Sequence, residues 1–193
     1  MRTAQLPITV RVQNTGASTR SSMHYICSTV VVNGGSAPPE YAFSHLMPAA
    51  ITCSTAGAAT YLFSMRLKSQ YPAASGITNR MVVLPALASF QAEGQRGAVE
   101  LWSNRTLTGP TWATNPSTTS GVEIDTAASA NANGTLVTRF MISQNEAYTL
   151  DLGEFFRVNG RKMRQGDTLT FLGQGEAGAN SDIRGSVTWR EVR

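Results

Sequence analysis

Glu123 and Asp125, in the run GVEIDT, are the first residues whose types and spacing could do chemistry. Two positions apart on an extended strand, their carboxylates share one face. Such a pair could hold a divalent cation or divide the roles of general acid and base. No further acidic residue lies near them in sequence to complete a site, and a solvated strand face is the expectation. The run GQGEAG at residues 173–178 matches the spacing of dinucleotide-binding glycines. That chemistry needs a helix N-terminus immediately afterwards to hold the pyrophosphate. Here the strand-like DIRGSVTW follows, so a glycine-rich hairpin is expected instead. His24 and His45, the two histidines, fall in no metal-ligand spacing. The chain carries no G-x-S-x-G elbow and no P-loop. A Ser–His–Asp triad assembled from distant loops is the one catalytic arrangement left open. The expectation is a non-enzymatic chain: no catalytic residue, no metal ligand, no cofactor.

Surface chemistry is more promising. Trp112 sits in TLTGPTWATNP, a loop framed by Pro110 and Pro116, and is the best candidate for an exposed aromatic anchor. Trp189, inside VTWREV, reads as a core residue. Basic residues crowd the C-terminal quarter: Arg157, Arg161, Lys162 and Arg164, then Arg184, Arg190 and Arg193. Guanidinium groups bind carboxylates and phosphates through planar paired contacts. Trp112 with Arg157, Arg161, Lys162 and Arg164 therefore makes the candidate interaction surface. A solvated loop plus the outer face of an edge strand is the plainer reading of the arginines. Nucleic acid is disfavoured, because no aromatics interleave with the cations to form a stacking platform.

The elements that must position these residues read as strands. Net charge is +4 over 193 residues, and charged residues make up only 15%. A charge-poor chain rich in Ser, Thr, Ala and Gly suits a subunit that buries surface against its own copies or a scaffold; it equally suits a plain Thr-rich β protein. Residues 5–13 and 24–33 read as strands and 14–22 as the loop between them. Residues 59–70 alternate, placing Tyr61, Phe63, Met65 and Leu67 on one face and Ser64, Arg66 and Lys68 on the other. Residues 80–91 form an apolar strand in which Pro85 marks an edge or a bulge. Tyr41 to Met47 is expected as a short helical turn. Asn133-Gly134 is the strongest hairpin signal. Asp151 to Glu154 resembles a capping box that would start a short helix or turn, with Asn159-Gly160 closing that helix or, as the alternative, turning a hairpin. Cys27 and Cys53 are expected as two buried thiols, with a single bridge as the alternative.

The sum is an all-β chain: an antiparallel β-sandwich or barrel of about ten strands, with at most two short helices. A single domain over residues 1–193 is expected, with an extended N-terminal arm over residues 1–20 as an option. The first residues show no apolar signal region, and no apolar stretch approaches the roughly 18 residues of a membrane span. Assembly in the cytosol, with no membrane partner, is therefore expected.

The runs VELWSNRTLTGPTW, SGVEIDT, DLGEFFRVNGRKMRQGDTLTFLGQGEAG and SVTWREVR, over roughly residues 97–193, resemble tailed-bacteriophage virion proteins. That resemblance implies a structural role in the virion: a decoration or cement protein on the capsid, or a module of tail or fibre. It implies a homotrimeric jelly roll whose partners are its own copies and the major capsid protein or another virion protein. It brings no catalytic residue. A tail or fibre module that recognises host glycans, with Trp112 as the sugar platform, is the alternative.

Overall fold

The computed structural model describes residues 40–55, 59–72, 75–113, 119–153, 163, 165–176 and 178–192. The strands expected over residues 5–13 and 24–33, the loop between them and the arm over residues 1–20 lie outside these. Within the described residues there are twelve strands: β1 (Glu40–Leu46), β2 (Ile51–Cys53), β3 (Thr60–Leu67), β4 (Val82–Glu93), β5 (Gly97–Ser103), β6 (Thr106–Thr108), β7 (Val122–Asp125), β8 (Ala130–Ala132), β9 (Thr135–Ile142), β10 (Ala147–Asp151), β11 (Thr168–Gly175) and β12 (Ser181–Val192). The only helical backbone among them is at Leu152 and Gly153. The helix expected to continue from there, and Asn159-Gly160, lie outside the described residues.

Every strand pairing is antiparallel. One sheet runs β1-β12-β4-β10, with β2 also on β12; the facing sheet runs β7-β3-β11-β5-β9. Set aside the short β2, β6, β7 and β8, and eight strands remain. In chain order the first sheet then holds the first, eighth, third and sixth, and the second holds the second, seventh, fourth and fifth. That interleaving is the jelly roll. Consecutive strands mostly cross from one sheet to the other, so nearly every pairing joins residues far apart in sequence.

The inward side chains of both sheets form one continuous core from Met47 to Trp189. Phe63, Phe90 and Phe171 meet at its centre, with Phe63 and Phe171 centroids 4.7 Å apart and Phe90 and Phe171 5.4 Å apart. Phe43 stacks on Trp189 across the β1–β12 pair. Offset and tilted ring pairs of this kind add about 1 kcal/mol beyond simple burial. Gly185 lies opposite Phe90 in the β12–β4 register, and the Phe90 ring occupies the space a Cβ on Gly185 would need. Phe63, Phe140 and Phe171 hold that ring from the other sides, so only glycine fits.

Four local expectations are corrected. Tyr41 to Met47 is no helical turn: Glu40–Leu46 is β1, in register with β12. Tyr41, Phe43 and His45 recur at period two against Glu191, Trp189 and Val187, and that pairing outweighs local propensity. Tyr61 does not share the face of Phe63. The β11 register skips Leu62, and this bulge moves Tyr61 to the outer face with Ser64 and Arg66. Asn133 and Gly134 do take positive φ (56° and 87°), but β8 and β9 do not pair. Instead β8 pairs with β6 and β9 with β5. The dipeptide bends a long ribbon, and Asn104 (φ 55°) bends the opposite strand. Finally, the glycines at 173 and 175 end β11, and the chain then crosses to β12 in the other sheet, so no hairpin forms there. Pro85 does mark a bulge: Thr188 and Trp189 pair with Leu87 and Pro85, skipping Ala86.

Candidate interaction surface

The outer face of the second sheet is roofed by the excursion between β5 and β9. Its organiser is Asp125, at the end of β7, which is fully buried. Its Oδ1 accepts the backbone N–H of Thr111 (2.6 Å) and Ala127 (3.2 Å). Its Oδ2 accepts the Tyr61 hydroxyl (2.5 Å) and the Ala128 N–H (3.1 Å). A short carboxylate reaching amides two and three residues on is an Asx-type turn; here it also ties down a distant loop. Burial, and then the bond to Asp125, push the Tyr61 hydroxyl far above its usual pKa. The expectation of a solvated carboxylate pair is therefore wrong. Asp125 and Glu123 serve different structural tasks, because a loop invisible in the local pattern closes over them.

Glu123 pairs with Arg66 across the β3–β7 register, with Arg66 Nε 2.6 Å from Glu123 Oε1. The Arg66 guanidinium stacks on the Trp112 ring, 4.0 Å from its centroid. Trp112 is pinned from both sides. Thr111 N–H goes to Asp125, and Ala113 exchanges backbone hydrogen bonds with Ile124 (2.8 and 3.0 Å). The indole is half-buried, so Trp112 is a preorganised, partly exposed aromatic. The Arg66 side chain keeps 39% of its exposure. A stacked guanidinium and indole at this exposure is worth about 0.5–1 kcal/mol. The pair offers a flat face to a carboxylate or to another ring.

A second such pair sits on the same sheet. The Arg105 guanidinium lies 4.3 Å from the Trp102 ring centroid, and burial lowers its pKa while Glu100 raises it. Trp102 Nε1 donates to Glu100 (2.7 Å), and Arg139 bridges Glu176 (3.0 Å) and Glu100 (3.7 Å). Arg157, Arg161, Lys162 and Arg164 lie outside the described residues, so Trp112 is the one expected surface residue placed by the structure. Arg184 and Arg190 lie on the outer face of β12, which is a middle strand and not the expected edge.

Near the end of β12, Glu191 is fully buried on the inner face. Its Oε1 accepts the Ser120 hydroxyl (2.5 Å) and Trp189 Nε1 (3.1 Å), and both its oxygens lie near the Gly121 N–H (3.1 and 3.0 Å). Lys68 Nζ donates to the Ser120 carbonyl (2.5 Å). Burial lowers the Lys68 pKa, with Glu123 and Glu191 raising it in opposition. This network fastens the loop before β7 to the opposite sheet. No local sequence signal marks it, since its members lie at 68, 120, 121, 189 and 191.

Cys53 is a free, buried thiol, packed where Gly173 has no side chain. Burial, and then the nearby Asp182 charge, push its pKa up to about 12, so it stays protonated and inert. Cys27 lies outside the described residues.

His45 is 3% exposed, edge-on to Phe63 at 5.2 Å, and its Nε2 has no hydrogen-bond partner among the described residues. Burial lowers its pKa from 6.5. As pH falls the unfolded chain takes up this proton first, so His45 removes stability progressively below pH 6.5 and none above it. The urea midpoint is expected to fall between about pH 7 and pH 5. His45→Leu should show a shallower fall over the same window; equal slopes would show that His45 has no part in it.

No protein-family model matches this chain, and no curated protein matches it. Among the described residues no group of three or more His, Cys, Asp or Glu could hold a metal ion, and no helix is long and apolar enough to cross a membrane.

Proposed function

We propose that this chain is a non-enzymatic structural subunit of a virus particle, acting through its outer surfaces. The observation that carries this reading is the jelly-roll strand order around an interior filled by aromatic side chains. Jelly rolls serve as capsid subunits, lectins and cupins, and fold alone does not choose among them. Here the space between the sheets is occupied by Phe63, Phe90, Phe171 and Trp189. The buried carboxylates Asp125 and Glu191 are taken up by backbone amides and neighbouring side chains. What remains to act is the exterior, including the Trp112–Arg66 face.

The specific form of the proposal is a homotrimeric decoration or cement protein on the head of a tailed bacteriophage, which the runs over residues 97–193 resemble. A subunit that binds only the assembled shell stabilises it by mass action, about 3 kcal/mol per site at a hundred times the dissociation constant. Antibody labelling of intact particles tests this. Label over the head supports the cement role, and particles lacking the protein should then lose integrity on heating. Label at the tail tip moves the reading to host recognition, with Trp112 as the aromatic platform. Absence from purified particles overturns it.

A further inference from the structure

Three residues other than glycine take positive φ among the described residues, and all three are asparagines: Asn104 (55°), Asn133 (56°) and Asn145 (59°). Two of them spend their side chains on the backbone. Asn104 Oδ1 accepts the Thr168 N–H and Asn145 Oδ1 the Gly94 N–H, each at 3.0 Å. Asn133 is exposed, and its carboxamide has no partner among the described residues. It is also followed by glycine, whereas Asn104 and Asn145 precede Arg105 and Glu146. Gly134 has φ 87°, and a Cβ there would lie 2.8 Å from the Ser103 carbonyl oxygen and 2.7 Å from Arg105 Cγ. The bend therefore requires glycine at this position. Gly134 lies between β8 and β9, outside both ladders.

We propose that Asn133-Gly134 is a self-modifying site, where the chain converts its own carboxamide to a carboxylate that Arg105 receives. The Gly134 amide nitrogen gives its proton to hydroxide and attacks Asn133 Cγ. A new C–N bond closes a five-membered imide. The bond from Cγ to the carboxamide nitrogen breaks, and that nitrogen takes a proton from water and leaves as ammonia. Water then opens the imide at either carbonyl. One opening restores the main chain and leaves aspartate; the other routes the main chain through Cβ and leaves isoaspartate. The balance is one water consumed and one ammonia released, with no oxidant or other reactant. Attack by the adjoining residue gains from proximity, and the missing side chain on Gly134 leaves its nitrogen approachable. Either product carries a new negative charge. Arg105 is the cation placed to meet it, because it lies across the ribbon with Cγ against Gly134. Its Nε is buried with no partner among the described residues. One terminal nitrogen reaches the Asn131 carbonyl at 3.5 Å, beyond the usual length of a hydrogen bond. The same guanidinium stacks on Trp102, so the new charge is felt at an aromatic ring on the outer face of the second sheet. The modification stands independently of the virion reading.

Ageing the purified, folded protein in mildly alkaline buffer tests the chemistry. Ammonia should be released, and an isoaspartate methyltransferase should label the chain. Peptide mapping should place label at residue 133, resolved from Asn159-Gly160. Asn133→Gln should remove the label from that peptide, since its longer side chain closes the ring far more slowly. Asn133→Asp carries the carboxylate from the start. It should lower the unfolding equilibrium constant about three-fold, the effect of an exposed ion pair, and Arg105→Met should cancel that gain in a double-mutant cycle. No label at residue 133, or label there only after unfolding in urea, overturns the self-modification. No gain from Asn133→Asp, or an equal gain in the Arg105→Met background, overturns the role of Arg105.

Discussion

Replacing Asp125 with Ala is expected to destabilise the protein by about 3 kcal/mol, because the tyrosine hydroxyl and backbone amides it serves lose their acceptor at a fully buried site. For a chain of this size that corresponds to a melting temperature lower by about 10 °C. The graded control is Tyr61→Phe. It removes one donor and leaves the amides of Thr111, Ala127 and Ala128 on the carboxylate, so it should cost about 1 kcal/mol. Asp125→Ala should also raise hydrogen exchange at Thr111, Ala113 and Ala128, since the loop that holds Trp112 is fastened there. Equal melting temperatures for Asp125→Ala and the parent would mean that the carboxylate does not organise the loop.

Replacing Glu191 with Ala is expected to cost as much or more, about 3–5 kcal/mol, the usual penalty for stripping the partner from a buried charged network. Ser120, Gly121 and Trp189 Nε1 would lose their acceptor, and Lys68 would lose the nearby negative charge that opposes its burial. Glu191→Gln retains one acceptor oxygen and should recover about half of the loss. Denaturant unfolding of the three proteins checks this order. If Glu191→Ala matches the parent, the network does not fasten the two sheets. A double-mutant cycle with Lys68→Met would measure the coupling between charge and carboxylate.

The legible parts of this fold were those written in local alternation. Phe63, Met65 and Leu67 at period two gave β3 its inner face, and Pro85 announced a bulge. Trp189 at the centre of an alternating run announced a core residue. What escaped was set by contacts distant in sequence. Tyr61 changed face because one bulged residue, Leu62, reverses the parity of everything before it. β1 became a strand because β12, some 140 residues later, supplies its partner. Asn133-Gly134 has the dihedrals of a tight turn but bends a ribbon, since 21 residues intervene between β6 and β8. The same blindness applied to the surface. Trp112 was visible as a loop aromatic between prolines. Its partners Arg66, Glu123 and Asp125 were not, because a cross-strand register, and not spacing, brings them to it. Asp125 read as part of a solvated strand face until burial showed it to be an anchor, and Glu191 drew no reading at all.

The position of β12 carries a consequence for biogenesis. It is the middle strand of its sheet, hydrogen-bonded to β1, β2 and β4, yet it comes last of the twelve in the chain. Until residues 181–192 emerge from the ribosome, β1 and β4 have nothing between them, and a wide band of apolar surface waits uncovered. Topologies so dominated by distant pairings fold slowly, and nascent chains with open strand edges are prone to aggregate. Emergence of β12 therefore acts as the trigger for folding of this sandwich, and a cell making the chain in quantity must shield the unpaired strands until that moment.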